Sequence, residues 1–360
     1  MSDAARLSDA AAARRDGLVY PFGDAEPAGG TAMAVAPGVR WVRLAIPGPL
    51  RHVNCYLVDD EDHRGSGVAL VDAGMNRPET REAWKSVFCG PLSGTRVTRM
   101  IGTHMHPDHI GLAGWMCAHH GAPLLMTRAE WLTMRMVVLD ARDAVPDEVV
   151  AHWRGAGWSP EQVEAARARG WSGFRRIVTP VPHGYTRIRD GEMLRLGRGD
   201  WRVVTGSGHS PEHACLLDEA NGVFLCGDQV LPRISPNVSV GANEPGADPL
   251  GDWFASIAKL RDLPAGLLCL PGHGDPFTGL HVRLDAMAAE HHERLDALET
   301  LLGDRPRRAV DCFGTLFRRA IGEDMLGMAT GEALAHLRRL EVEGRAVHEE
   351  RDGVWWFAAR

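Results

Sequence analysis

Short apolar runs alternate with longer amphipathic stretches along most of the chain, and the two periods predict different elements. Val42, Leu44 and Ile46 recur at every second position, and apolar runs follow at 53–58, 68–72 and 100–103; each reads as a strand. Helical periodicity intervenes at 79–88 and 110–120, and strands return at 124–126, 202–205, 215–217, 223–226 and 267–270. Between them, roughly 127–182 reads as a helical insertion rich in large apolar side chains, among them Trp131, Leu132, Met134, Met136, Val137, Leu139, Trp153, Trp158 and Trp171. An insertion placed there covers one end of a sandwich. Residues 250–263 and 280–302 predict two more helices.

Both ends of the chain depart from this alternation. Residues 1–38 are rich in Ala, Gly and Pro without a sustained period, and are expected to be an N-terminal tail or lead-in, with order starting near Val39. After Gly303 the pattern restarts as a short helix near 312–320, a second at 330–344, and a hairpin closed on Asp352-Gly353. Helix, helix and hairpin together outline a winged helix over 303–360. The principal domain is then 39–302.

Composition changes this picture little. The 360 residues are 44% hydrophobic and 24% charged, enough for one large core and a small second domain. A net charge of −7 leaves no overall positive field for nucleic acid or an anionic membrane. Seven scattered cysteines never form a C-x-x-C pair and suit reduced, buried thiols. The start, Ala-rich but broken by Asp3 and Asp9, has no apolar signal core, and no run of about 18 apolar residues could span a bilayer. The expectation is a cytoplasmic protein without a membrane association.

Candidate chemistry concentrates where strands end. His104, His106, Asp108 and His109 follow the strand at 100–103 in a loop ahead of a helix. Side chains two apart on extended backbone point the same way, so His104 and His106 can reach one ion, while the turn at Pro107 sends Asp108 and His109 elsewhere. One loop can thus serve two adjacent ions. Gly208-His209, Gly227-Asp228 and Gly272-His273 likewise follow apolar strands, and glycine lets backbone turn close to a crowded site.

These segments resemble the metallo-β-lactamase superfamily in type, order and spacing, especially its glyoxalase II-like hydrolases. The family's H-x-H-x-D-H motif is matched by His104, His106, Asp108 and His109, and the C-terminal outline resembles the subgroup with a winged-helix appendage. The resemblance implies an α+β fold, a four-layer αββα sandwich. It further implies two divalent metal ions: His104, His106 and His209 on the first, Asp108, His109 and His273 on the second, and Asp228 bridging both. Asn54 and Asp72-Ala73-Gly74 resemble the family's early strand signatures, with Asp72 a partner for a ligand histidine. Ser207 departs from the proline many relatives carry two residues before the ligand histidine. Imidazole and carboxylate suit zinc, and mixed N/O sites also accept iron or manganese. Two ions sharing a water supply hydroxide near neutrality, with Asp108 as the catalytic residue that orients it.

Other polar residues receive plainer readings. His213 is expected to be a packed, hydrogen-bonded histidine, and the pairs His119-His120 and His291-His292 to be solvated. Cys226 reads as a small buried strand residue. Arg233, Ser235 and Asn237, close after Asp228, are candidates to touch substrate. The apolar insertion suits a small-molecule substrate with an apolar acyl part, with a homodimer interface or simple packing as its other uses.

The leading expectation is therefore a binuclear hydrolase in which a metal-bridging hydroxide attacks a carbonyl ester, an acyl thioester or a lactone. A phosphodiesterase or nuclease on the same metal pair is the second. The third is a winged-helix ligand-sensing regulator, and it is disfavoured because residues 301–360 carry ten Arg against ten Asp and Glu, without the positive excess that DNA binding requires.

Overall fold

Strands that are apolar on both faces must be covered on both sides, and that requirement sets the layering. The computed structural model describes residues 13–360 apart from positions 91 and 172. A hairpin of β1 (Ala13–Arg15) and β2 (Leu18–Tyr20) precedes a seven-stranded sheet in chain order: β3 (Met33–Ala36), β4 (Val39–Ala45), β5 (His52–Asp62), β6 (Gly65–Val71), β7 (Val97–Ile101), β8 (Leu124–Met126) and β9 (Thr186–Arg187). From β3 to β6 the pairing is antiparallel, and from β6 to β9 it is parallel. Parallel neighbours need crossovers. α1 (Pro78–Cys89) supplies the first, α2 (Pro107–Ile110) with α3 (Ala113–His120) the second, and the insertion the third, as α4 (Arg128–Leu139), α5 (Asp147–Gly155), α6 (Pro160–Ala168) and α7 (Gly173–Arg176).

The second sheet runs β10 (Met193–Leu196), β11 (Gly199–Gly206), β12 (His213–Asp218), β13 (Val223–Gly227) and β14 (Leu268–Pro271), the last pair being parallel across α8 (Pro249–Leu260). α9 (Leu280–Asp304) follows. Trp41, Tyr56, Ile101, Trp201, Leu216 and Leu270 fill the space between the sheets. The outer face of the first sheet packs Leu57, Leu70 and Met100 against Trp84, Val87 and Met116; that of the second packs Cys215, Phe224 and Cys269 against Trp253, Ile257 and Leu284. Each such buried side chain contributes roughly 1.5–3 kcal/mol. The result is the expected αββα order. All seven cysteines are free thiols, and Cys89 alone among them is exposed.

Two expectations need correction, and the insertion resolves into parts. The stretch expected to be a tail is structured over its described part, since Leu18, Tyr20 and Val35 are buried and Val19 exchanges backbone hydrogen bonds with Thr278. Its strands are three or four residues long, too short to register as a period. The part of that tail before Ala13 lies outside the described residues. The tryptophans of the insertion do not share one role: Trp153 and Trp158 stack at 4.8 Å, and the Trp158 indole donates to Thr330 of the C-terminal segment. His291, expected in solvent, is fully buried on α9; His292 beside it is exposed and stacks on Phe254.

The C-terminal segment comprises a 3-10 turn (Ala309–Cys312), α10 (Phe313–Leu316), a second 3-10 turn (Glu323–Met325), α11 (Leu326–Val342) and a hairpin of β15 (Ala346–Arg351) and β16 (Val354–Ala359). Asp352 and Gly353 both take positive φ, as the two-residue hairpin turn demands. Ten of the 17 residues of α11 are buried, within a core shared with α5, α6, α8 and α9. The exposed residues of α11 are Gly327, Met328 and Val342, and Arg338 and Arg339 are paired with carboxylates, so the helix offers no free cationic side chain to a DNA phosphate. Among the described residues no helix is long and apolar enough to cross a membrane.

His291 lies 3.1 Å from His336 of α11, and burial holds both imidazoles neutral, at pKa values of about 2 and about 4 respectively. In the unfolded chain each takes up a proton near 6.5. The stability gained by keeping them neutral is therefore complete above that value and is lost as pH falls, at up to about 1.4 kcal/mol per pH unit for each group. The melting temperature is expected to drop between pH 7 and pH 5, and to drop less in H336Q. Parallel melting curves for the two proteins would contradict this assignment.

Candidate metal centre

Four loops, each leaving the C-terminal end of a strand, bring the predicted residues together. His104 and His106 precede α2, Asp108 and His109 lie on it, and Pro107 at its first position suits the start of a helix. His209 follows β11, Asp228 follows β13, and His273 follows β14. All seven predicted residues converge.

The geometry centres on one oxygen. Asp228 Oδ2 lies 3.4 Å from His109 Nε2, 3.4 Å from His273 Nε2, 3.5 Å from His209 Nε2 and 4.0 Å from His104 Nε2. His106 Nδ1 lies 2.9 Å from His104 Nε2 and 3.0 Å from His209 Nε2, while Asp108 Oδ2 lies 3.2 Å from His273 Nε2 and 3.8 Å from His109 Nε2. Three overlapping groups result, in each of which the ligand atoms lie within 4.8 Å of one another: His104 with His106 and His209, His104 with His109 and Asp228, and Asp108 with His109 and His273.

In four of the five rings, those of His104, His109, His209 and His273, the nitrogen that faces away from the centre is already engaged, which determines which nitrogen faces inward. His109 Nδ1 bonds Asp72 Oδ2 at 2.7 Å, as the sequence led us to expect. His104 Nδ1 bonds the Thr103 hydroxyl at 2.9 Å, and that hydroxyl donates to Asp72. His209 Nδ1 donates to the Asn237 carbonyl at 2.7 Å, and His273 Nδ1 to the His52 carbonyl at 2.6 Å. Outer partners of this kind fix tautomer and ring orientation.

Divalent cations fit this cage. Among the described residues His109 Nε2 and Asp228 Oδ1 are buried without a hydrogen-bond partner, an expensive state unless something occupies the space between them. Burial opposes charge on His109, yet Asp228, Asp72 and Asp108 outweigh it and push its pKa well above the ordinary range; the carboxylates of Asp228 and Asp108 likewise overcome burial to raise His273 to about 10. Burial, with neighbouring imidazoles, pushes His104 down and His106 to about 3. The centre thus requires positive charge on one side and neutral donors on the other. Gly272 makes room for it, because a Cβ there would stand 2.1 Å from Asp228 Oδ1 and 2.7 Å from the His109 ring.

One supporting residue carried no signal in the sequence. Glu130 on α4 is fully buried and accepts from Met105 N, the Ser210 hydroxyl and Glu212 N, tying the two histidine loops to the insertion. An acidic residue in a helical pattern reads as solvated, so periodicity hid it. Asn54, noted from the family likeness, donates to the carbonyls of Pro271 and Gly274 and so frames the His273 loop. His213 is packed and hydrogen-bonded, as expected, with its Nε2 accepting from Asp228 N at 3.1 Å. Of the three candidates for substrate contact, Ser235 and Asn237 are engaged internally, whereas Arg233 remains exposed beside Asp275.

Comparison with known proteins agrees with the fold. Residues 48–273 match the Metallo-beta-lactamase superfamily, and residues 295–360 match the family described as Metallo-beta-lactamase-like, C-terminal domain. The chain belongs to the metallo-beta-lactamase superfamily and is a metal-dependent hydrolase of that class. A beta-lactamase domain protein of Burkholderia ambifaria has 38% sequence identity and a TM-score of 0.88, over 95% of this chain and 98% of that one. A metallo-beta-lactamase family protein from Thermus thermophilus has 30% identity and a TM-score of 0.76, over 91% and 100%. An atrochrysone carboxyl ACP thioesterase of Aspergillus fumigatus is 26% identical over 262 residues; the match takes in 71% of this chain and 46% of that protein, about half its length.

If the cage holds metal, filling the space beside Asp228 must weaken it. Gly272→Ala is expected to lower metal affinity by about ten-fold or more, measured by metal content after dialysis against buffered metal. Unchanged metal content in a folded variant would refute the placement.

Proposed function

We propose that the protein hydrolyses acyl thioesters, the bond between acyl carbon and sulfur being cut by water at a centre holding two divalent ions, zinc by preference. The residues that would hold them are His104, His106, Asp108, His109, His209, Asp228 and His273, with the Asp228 carboxylate central among them. When bound, such ions lower the pKa of water and polarise a carbonyl oxygen.

The observation that carries the substrate class is the exposed face of α4. Leu132, Met136 and Leu139 recur at helical spacing and remain solvent-exposed, on a helix whose first turn is tied by Glu130 to the histidine loops. A recess of about 250 Å³ follows the same helix, walled by Val138, Leu139, Val178, Pro180 and Val181, with Arg135 and Arg175 also lining it. Apolar walls beside guanidinium groups suit an acyl chain carried on an anionic group. The name of the fungal relative points to the same reaction class.

In this reading Asp108, the most open of the carboxylates at 18% side-chain exposure, faces the incoming substrate. Burial opposes its ionisation, but His109 and His273 hold its carboxyl down at about 2, so it orients the attacking water as an acceptor throughout the neutral range. Water adds its oxygen to the acyl carbon and releases its proton by way of the Asp108 carboxylate to solvent, the carbon–sulfur bond breaks, and the sulfur leaves as a thiolate that needs no general acid.

A phosphodiesterase reading has one observation in its favour: Arg128, Arg175 and Arg176 are exposed near α4 and form no ion pair with a carboxylate among the described residues. One panel separates the two. Protein containing two metals per chain is expected to cleave medium- and long-chain acyl thioesters, with loss of turnover on chelation and a fall in kcat/KM of roughly 10²–10⁴ in metal-loaded D108N. Failure on all thioesters, with chelator-sensitive cleavage of single-stranded RNA, would replace the first reading with the second.

A further inference from the structure

The loop from Gln229 to Val240 joins two parts of the molecule with no contact in sequence. At one end the Asn237 carbonyl accepts from His209 Nδ1 at 2.7 Å and so sets the angle of a candidate metal ligand. On its other side the same residue faces α11, where Asn237 Nδ2 donates to Glu332 Oε2 at 3.0 Å. Arg294 of α9 holds the other oxygen of Glu332 at 3.1 Å. Three residues on, Val240 N donates to the Gly331 carbonyl at 3.0 Å. A Cβ on Gly331 would meet Ser239 Cβ at 2.7 Å, so a glycine is what allows helix and loop to approach.

A second set of contacts holds the loop two residues earlier. His336 Nδ1 lies 2.8 Å from the Glu332 carbonyl, which can only accept, so that nitrogen carries the proton and Nε2 is left to accept from His291 Nδ1. His291 Nε2 then accepts from the Ser235 hydroxyl at 2.6 Å. Every proton in this chain has a determined place. No member of it belongs to the seven candidate ligands.

We infer that α11 is a positioning element for the metal centre: through Glu332 and Asn237 it fixes the carbonyl that orients His209, and thereby sets affinity at the His104–His106–His209 group. The inference rests on the metal-centre reading. It also assigns the C-terminal segment a task inside the hydrolase, one that neither DNA binding nor simple packing supplies.

The test uses the full chain, depleted of metal and titrated with cobalt(II), reading affinity and the ligand-field spectrum rather than turnover. E332A and N237A are each expected to weaken one of the two cobalt sites by about ten-fold and to alter its spectrum. E332Q, whose amide oxygen can still accept from Asn237, is expected to recover most of that loss. The double variant E332A/N237A should bind no more weakly than either single variant, because both remove the same link. Wild-type cobalt affinity and spectrum in E332A that melts within a few degrees of wild type would overturn the inference while leaving the metal centre intact. If E332A fails to fold, N237A decides by the same measurements. A wild-type chain that binds no cobalt would overturn the metal-centre reading as well.

Discussion

Oδ2 of Asp228 has imidazole nitrogens from His104, His109, His209 and His273 within 4.0 Å, and a carboxylate buried in that position is stable only with positive charge beside it. Much of the surrounding architecture serves that requirement. The strands preceding the loops come from both sheets and must end at one level, so the stacking of Trp41, Tyr56 and Ile101 on Trp201, Leu216 and Leu270 sets how closely the loops meet. Raised pKa values at His109 and His273 express the same demand as proton affinity. A divalent ion meets it with more charge in less space.

The rings around that oxygen are aimed by groups that do not themselves reach the centre. Asp72 on His109, the Thr103 hydroxyl on His104, and the carbonyls of Asn237 and His52 on His209 and His273 each occupy the nitrogen that faces outward. Asp72 takes positive φ, rare for a residue with a side chain, and its carboxylate there accepts from Thr103 N, the Thr103 hydroxyl and His109 at once. Strain at this position is offset by three hydrogen bonds.

The insertion is divided between two tasks. α4 and the segment after α7 cover the first sheet with Met134 and Val178 buried, and α4 leaves Leu132, Met136 and Leu139 in solvent. α5 and α6 join the C-terminal segment in the core of the second sheet, where Gly155 allows the Trp355 ring to close within 2.6 Å of where a Cβ would stand. One segment therefore links the candidate substrate face to α11. Because the ligand cage is shared across many chemistries, these segments rather than the cage are the place to seek substrate choice.

Strand ends with histidine, aspartate and glycine could be read from the chain alone, since ligand type and spacing are local properties and the loop at 104–109 carries four of them together. Most element types along residues 39–302 were legible for the same reason, apolar period being written in neighbouring residues, whereas the short β9 and β10 were not. Tertiary structure decided the rest. The carbonyls of Asn237 and His52 that aim two ligands have no residue identity to read, and the burial of Glu130 and His291 depends on elements far away in the chain. Polar residues on a helix look alike in sequence whether they face water or a partner. What the sequence determined was which groups can hold a metal; what only packing decided was how they are aimed, and that the C-terminal helix lies against the loop that aims one of them.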